Sequence, residues 1–277
     1  MRLRVFLFAL AVPIAHAQET SPPPSQDPIV AVNREVFAGI GGQRLQYTET
    51  IGDTFADSEI GKQGAGNLGA SWMGSALGVQ DAWAQGQFEF ARGKTAYTGF
   101  LQNLQTGATI PYDSSTDVET ADWQLRLGRG FENDERDGML TPFVAVGAHR
   151  WVRDGTKSDP YGYLEIYHHA FAEAGFLAQG RFSPQLVGTL GLDAGSTFGA
   201  QIAAPALDVS TQLKHERMLG CTFALDYSPI PHLHLKAEYR DVSFRYGRSA
   251  VSSTFHMYEP DSYSYQSTAF LSIGFGF

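Results

Sequence analysis

The chain has 277 residues and a formal charge of −9, from 20 Lys and Arg against 29 Asp and Glu. That balance leaves no cationic excess for a nucleic-acid partner, and a single cysteine excludes an internal disulfide framework. No apolar run approaches the roughly 18 residues of a membrane helix, while 30 glycines and 19 phenylalanines point to strands and turns.

The first element is short. Arg2 and Arg4 precede an apolar run from Val5 to Val12, and Ala15-His16-Ala17 follows as a small-x-small cleavage site. Charge, apolar run and cleavage site come in the order of a secretory signal peptide, residues 1–17. Its removal would take the charge to −11. Residues 18–34 open with Pro22, Pro23, Pro24 and Pro28 among polar residues and read as a disordered periplasmic tail. From residue 35 to 277 the period is two, the mark of strands.

Ten strands are expected, at about 35–48, 67–79, 82–99, 116–131, 139–153, 162–182, 185–200, 208–227, 232–248 and 263–277. Short turns fall at Gln80-Asp81, Asn133–Gly138, Ser183-Pro184 and Ser228–Pro231, and longer links at 49–66, 100–115, 154–161, 201–207 and 249–262. Alternation sorts the faces. Trp123, Leu125 and Leu127 oppose Asp122, Gln124 and Arg126; Phe88 and Phe90 oppose Gln87 and Glu89; Leu190 and Leu192 oppose Gly191 and Asp193. Leu219, Cys221, Phe223 and Leu225 oppose Thr222 and Asp226; Leu233, Leu235 and Tyr239 oppose His234, Lys236, Glu238 and Arg240; Ile166, Ala170 and Phe176 oppose Glu165, His169, Glu173 and Arg181.

The last strand alternates Phe277, Phe275, Ile273 and Leu271 with Gly276, Gly274 and Ser272, and starts at Tyr263 and Tyr265. With the signal peptide, the terminal Phe277 and the strand-turn rhythm of residues 35–277, the chain resembles the small outer-membrane β-barrel proteins of Gram-negative bacteria. The resemblance implies an all-β fold, a single closed antiparallel transmembrane barrel of about ten strands (eight or twelve if a hairpin is misread), placed in the cell outer membrane. It also implies that Phe275 and Phe277 form the signal read by the barrel-assembly machinery. Apolar rows then face lipid, where an Arg or Lys at mid-membrane would cost about 2–4 kcal/mol. The polar rows line a narrow interior. There Glu89, Asp122, Arg126, Glu173, Arg181, Asp193, Asp226, Lys236, Glu238 and Arg240 are expected to satisfy one another as a charge network, since an unpaired buried charge is costly.

Little in the sequence points to catalysis. His232 and His234 share a strand face, but no further metal ligand is identifiable, so no metal or cofactor is expected. The chain also resembles the ten-stranded omptin proteases in size and inferred strand number. Its outer acids and histidine (Asp113, Asp117, Asp154, Asp159, Glu259, Asp261, His256), however, match none of their motifs, and Ser252 and Ser253 with His256 form no recognised set. The rim tyrosines Tyr161, Tyr163, Tyr258, Tyr263 and Tyr265, with Phe255, read as an interfacial aromatic girdle. The expected role is non-enzymatic: envelope structure or surface contact through the outer loops, with membrane lipid and a surface ligand as partners. A narrow porin-like channel, or an outer-rim protease or lipid-modifying enzyme, are the alternatives.

Overall fold

A computed structural model describes residues 27–102, 106, 108–251 and 258–277; residues 1–26, with the expected signal peptide, and Ser252, Ser253, Phe255 and His256 lie outside the described residues. The chain forms a closed antiparallel barrel of ten strands, with two short strands outside it. The barrel strands are β1 (Glu35–Ile51), β2 (Thr54–Ala76), β3 (Val79–Gln102), β4 (Thr109–Arg129), β6 (Gly138–Asp154), β7 (Leu164–Ser183), β8 (Leu186–Ala204), β10 (Arg217–Ile230), β11 (Leu233–Tyr246) and β12 (Asp261–Gly276). The short extras are β5 (Phe131–Glu132), paired with β6, and β9 (Val209–Gln212), paired with β8. Strands follow one another round the wall, β12 pairs with β1, and β8 pairs with β10 across the excursion that holds β9. Closure leaves no long strand edge free.

Ten strands were expected and ten build the wall, but two links are shorter than the sequence suggested. Residues 49–66 are no loop: β1 runs on to Ile51, turns at Gly52 and Asp53, and returns as β2 from Thr54. Residues 109–115 likewise belong to β4. At the opposite end the β2–β3 turn sits at Leu77 and Gly78 rather than at Gln80-Asp81; φ values of 50° and 79° give the left-handed pair that two-residue hairpins require.

The faces follow the alternation. Ile40, Leu68, Trp123, Leu127, Val144, Phe223, Leu225, Leu271, Ile273, Phe275 and Phe277 point outward and are exposed. Cys221 shares the outward row with Leu219 and Phe223 and is half-buried. His168 is exposed and His169 buried, as neighbours on a strand must be. Burying so much polar area inside while leaving aliphatic rows outside inverts the soluble pattern.

One segment departs from the expected tail. Residues 18–26 are outside the described residues, but Pro28–Val32 forms a single-turn helix, α1. Proline suits its first turn, where the missing N–H has no partner to lose, and the Asp27 carboxylate caps it by accepting from Ile29 N at 2.7 Å. Ile29 and Val32 pack on Met73, Trp83, Met139, Phe143, Leu177 and Val187 in the mouth where β1 begins and β12 ends. Asn33 locks the helix down, donating to Ile29 O at 2.8 Å and to Gln179 Oε1 at 2.7 Å.

Candidate functional site

The inward-facing residues of β6 mark four layers: Phe143, His149, Trp151 and Arg153, in order from the helix-filled mouth to the opposite, outer end. The first is the apolar seat of α1.

The second layer is ionic. Arg240 donates to Glu89 Oε1 at 3.1 Å and to Gln124 Oε1 at 3.5 Å, while Gln124 donates to Glu173 Oε2 at 2.6 Å. Arg126 lies 3.8 Å from Asp193 and donates to Gln85 Oε1 at 3.3 Å. Asp122 Oδ1 is 2.7 Å from His149 Nδ1. Nearer the α1 end, Lys236 pairs with Glu35, and Asp226 Oδ1 lies 2.8 Å from His234 Nδ1. Gly274 makes room there, because a Cβ would collide with the Glu35 carboxylate. Arg181 and Glu238 have the inward register but are only half-buried, and neither makes an ion pair among the described residues. A cavity of about 20 Å³ beside Glu89, Asp122, His149 and Arg240 holds at most about one water.

His232 and His234 do not converge. His232 turns to the Gly276 carbonyl, 3.1 Å from its Nδ1, whereas His234 joins Glu35 and Asp226, with ligand atoms of the three within 4.8 Å of one another. The cationic place in that trio is already filled by the Lys236 ammonium on Glu35. Spacing could not have found Glu35, which arrives from the other end of the chain.

The third layer is aromatic. Tyr47, Trp151, Tyr167, Phe171, Phe244 and Tyr246 pack with Leu45, Ile202, Met218 and Val242. Trp151 and Tyr167 stack with centroids 4.9 Å apart, and Tyr47 meets Trp151 edge-on at 4.8 Å. Tyr47, Trp151 and Tyr167 are 0% exposed, so solvent does not reach these three side chains.

Above it lies the outer mouth, where the barrel strands rise beyond the apolar outer rows. Arg153 stands at its centre. It donates to Glu165 Oε2 at 2.5 Å, sits 3.1 Å from Glu59, and rests over the Tyr47 and Trp151 rings. Glu49 accepts from Tyr47 Oη at 2.7 Å, Glu259 from Tyr167 Oη at 2.6 Å, and Asp57 from Tyr97 Oη at 3.4 Å. The loop bearing Glu259 is clamped by Ser249, whose hydroxyl accepts from Glu259 N at 2.9 Å. One guanidinium therefore faces five carboxylates. Burial, then the Glu259 and Asp57 charges, push Glu49 well up from the ordinary carboxylate range. Burial, with the Glu165 charge beside it, pushes Glu259 up to about 7, against the opposing pull of Tyr167 and Arg153.

Of the outer acids singled out in sequence, only Glu259 joins this cluster. Asp154 caps its loop, accepting from Thr156 N and Oγ1, and these bonds with Lys157 hold it below the usual range. Asp159 accepts from Tyr112 Oη at 2.7 Å and Asp261 from Arg248 N at 2.8 Å, while Asp117 lies 3.6 Å from Lys94 and Asp113 faces Thr98 across the β3–β4 ladder. Glu49, Asp57 and Glu59 went unnoticed in sequence because they lie where a loop was expected. Glu165 was read only as a lumen residue.

The fold has a solved counterpart. The outer membrane protease OmpT from Escherichia coli has the same fold. It superposes with a TM-score of 0.56 at 10% identity, over 89% of this chain and 98% of that one. More distant are the translocator domain of the autotransporter NalP from Neisseria meningitidis (TM-score 0.40, 12% identity, 88% of each chain) and the outer membrane protein OprG from Pseudomonas aeruginosa (0.36, 12%, 88% of this chain and 97% of that one). No family model matches the chain, and no curated protein matches it. OmpT shares the architecture; its identity is too low to carry residue roles across.

Proposed function

We propose that this chain is an integral outer-membrane β-barrel, closed to solutes and non-enzymatic, whose working surface is the acidic outer mouth and its loops. The outward aliphatic rows support the membrane setting, since such rows are stable only against acyl chains. The chain ends share one mouth of the barrel, and the long strand extensions stand at the other. Delivery through the expected signal peptide would place the termini in the periplasm. Phe275 and Phe277, exposed at the end of β12, would serve as the assembly signal.

One observation carries the closed reading: Tyr47, Trp151 and Tyr167, packed on one another across the bore, are themselves 0% exposed. Below it, α1 fills the periplasmic mouth, so two independent seals lie in series. Of the five carboxylates, Asp57, Glu165 and Glu259 are half-buried and line the mouth above the buried Glu49 and Glu59, and their surplus over one guanidinium suits a cationic or mixed polar ligand. Both His–Asp contacts among the described residues, His149 with Asp122 and His234 with Asp226, lie beneath the aromatic layer. That separation disfavours a rim hydrolase built from either pair.

Planar-bilayer recording decides between the closed barrel and a narrow channel. The expected trace is flat, and it stays flat for Ile29→Asp, which loosens α1 while leaving the aromatic layer intact. Steady open steps from the unaltered chain would overturn the proposal.

A further inference from the structure

The outer wall, like the bore, carries charge at its border. On β10 the outward row runs Arg217, Leu219, Cys221, Phe223, Leu225 toward the periplasmic side; on β11 it rises through Leu235, Tyr239, Asp241 and Ser243 to Arg245. Met218 faces Phe244 and Leu219 faces Ser243, so Arg217 and Arg245 stand at the next rung outward. Between them lies a depression of about 190 Å³, lined by Arg217, Leu219, Ser243, Arg245 and Tyr263. Arg245 rests 5.5 Å from the Tyr263 ring centroid. Both arginines are exposed, and neither makes an ion pair among the described residues. Asp241, the acid below Ser243, accepts from Tyr239 Oη at 2.9 Å and does not line the depression.

We propose that this depression holds the phosphorylated headgroup of an outer-leaflet lipid. The inference rests on the outer-membrane reading above. Two guanidiniums and a hydroxyl at the rim form a donor set matched to phosphate, which arginine engages through paired N–H groups. The floor is Leu219, and the outward row continues through Phe223 and Leu225, 53% and 51% exposed, which is where the hydrocarbon of the same molecule would lie. A free anion would satisfy the arginines and leave that apolar run uncovered.

Past β12 the wall carries the same border. Arg44 faces Lys62 and Lys62 faces Lys94 on three adjacent strands, just outward of Ile40, Leu68 and Phe90. Lys94 meets Asp117 at 3.6 Å, but Arg44 and Lys62 face each other with no acid paired to either among the described residues; like charges in direct register repel, so this pair at the edge of an apolar belt suits an anionic layer alongside.

The test uses the full chain in nanodiscs of a zwitterionic phospholipid. The probe is diphosphorylated lipid A, run beside chemically dephosphorylated lipid A, with bound molecules counted by native mass spectrometry. The unaltered chain is expected to retain one phosphorylated probe at low loading. Arg217→Gln with Arg245→Gln should reduce retention by about tenfold or more. Arg217→Lys with Arg245→Lys should hold more than the Gln pair, and Arg129→Gln with Arg136→Gln at the periplasmic end should hold as much as the unaltered chain. A folded, heat-modifiable gel band certifies each variant. Equal retention by the Gln pair, or equal binding of the dephosphorylated probe, overturns the site. Displacement of the probe by millimolar inorganic phosphate overturns the lipid as its source. A chain that never enters the nanodiscs sinks the membrane reading itself, an outcome separate from a barrel that inserts but binds no probe.

Discussion

The middle of the bore and the outer mouth are both rich in charge, yet they are balanced differently. In the middle, acids have cationic or imidazole partners within reach: Glu89 with Arg240, Asp193 with Arg126, Asp122 with His149, Glu35 with Lys236. In the mouth, Glu49, Asp57, Glu59, Glu165 and Glu259 share Arg153. The difference teaches where water stops. Inside the apolar belt a buried, unmatched charge has no solvent to relax into and must be paired. Above the apolar belt a carboxylate can take up a proton or meet solvent, so the same fold tolerates a surplus there.

Breaking the middle should hurt most. Arg240→Met strands Glu89 and removes a donor from Gln124, and a loss of about 3–5 kcal/mol is expected. It is read as a lower midpoint of the heat-modifiable gel shift. Glu89→Gln combined with Arg240→Met should recover most of the loss; a double variant as unstable as the single would break the pairing argument.

Arg153→Met comes next, at about 3 kcal/mol at pH 8. Here the penalty should shrink at pH 5, because the mouth carboxylates can neutralise themselves. A penalty independent of pH would place the mouth in the same class as the middle.

The smallest effect is the mouth's own titration. Glu259 is held up to about 7 in the folded barrel against an ordinary value near 4.5. Between those values the folded state binds more protons than the unfolded one, so stability falls as pH rises from 4.5 through 7 and then levels. Glu259→Gln should therefore raise the melting midpoint by about 2–4 °C at pH 8 and change little at pH 5. A gain of equal size at both pH values would mean that the charge is not responsible.

Much of the wall was legible in the sequence, because a strand between an apolar outer surface and a polar bore must alternate. Trp123, Leu125 and Leu127 against Asp122, Gln124 and Arg126 could be sorted by that rule alone. The rule fades where the outside is water. Over Thr54–Ile60 and Thr109–Ser115 both faces tolerate polar residues, the contrast vanishes, and strand reads as loop. In the same stretch the rule also reverses. Tyr47, Trp151 and Tyr167 turn inward while Arg44, Gln46 and Arg150 turn out, so aromatics that belong to the seal look like candidates for the interfacial girdle. The mouth cluster is drawn from β1, β2, β6, β7 and the β11–β12 loop, and no spacing along the chain encodes that meeting. The helix at Pro28–Val32 escaped for a local reason: prolines that signal disorder in a row also suit the first turn of a helix, and only the pocket that Ile29 fills decides between them.

The seam between β1 and β12 sets how the molecule answers a mechanical load. Its sixteen paired positions begin with Glu35 opposite Gly276, so both free ends leave from the same tip of the ladder. Tension applied across the two ends therefore does not shear the rungs together; it opens a fork and strains them singly, starting with the bond from Phe277 N to Arg34 O. The Glu35–Lys236 contact sits at that fork and ties the first strand to β11 as well. The wall can thus be peeled from a single corner, where the Phe277–Arg34 bond meets the tug first and the ion pair behind it next.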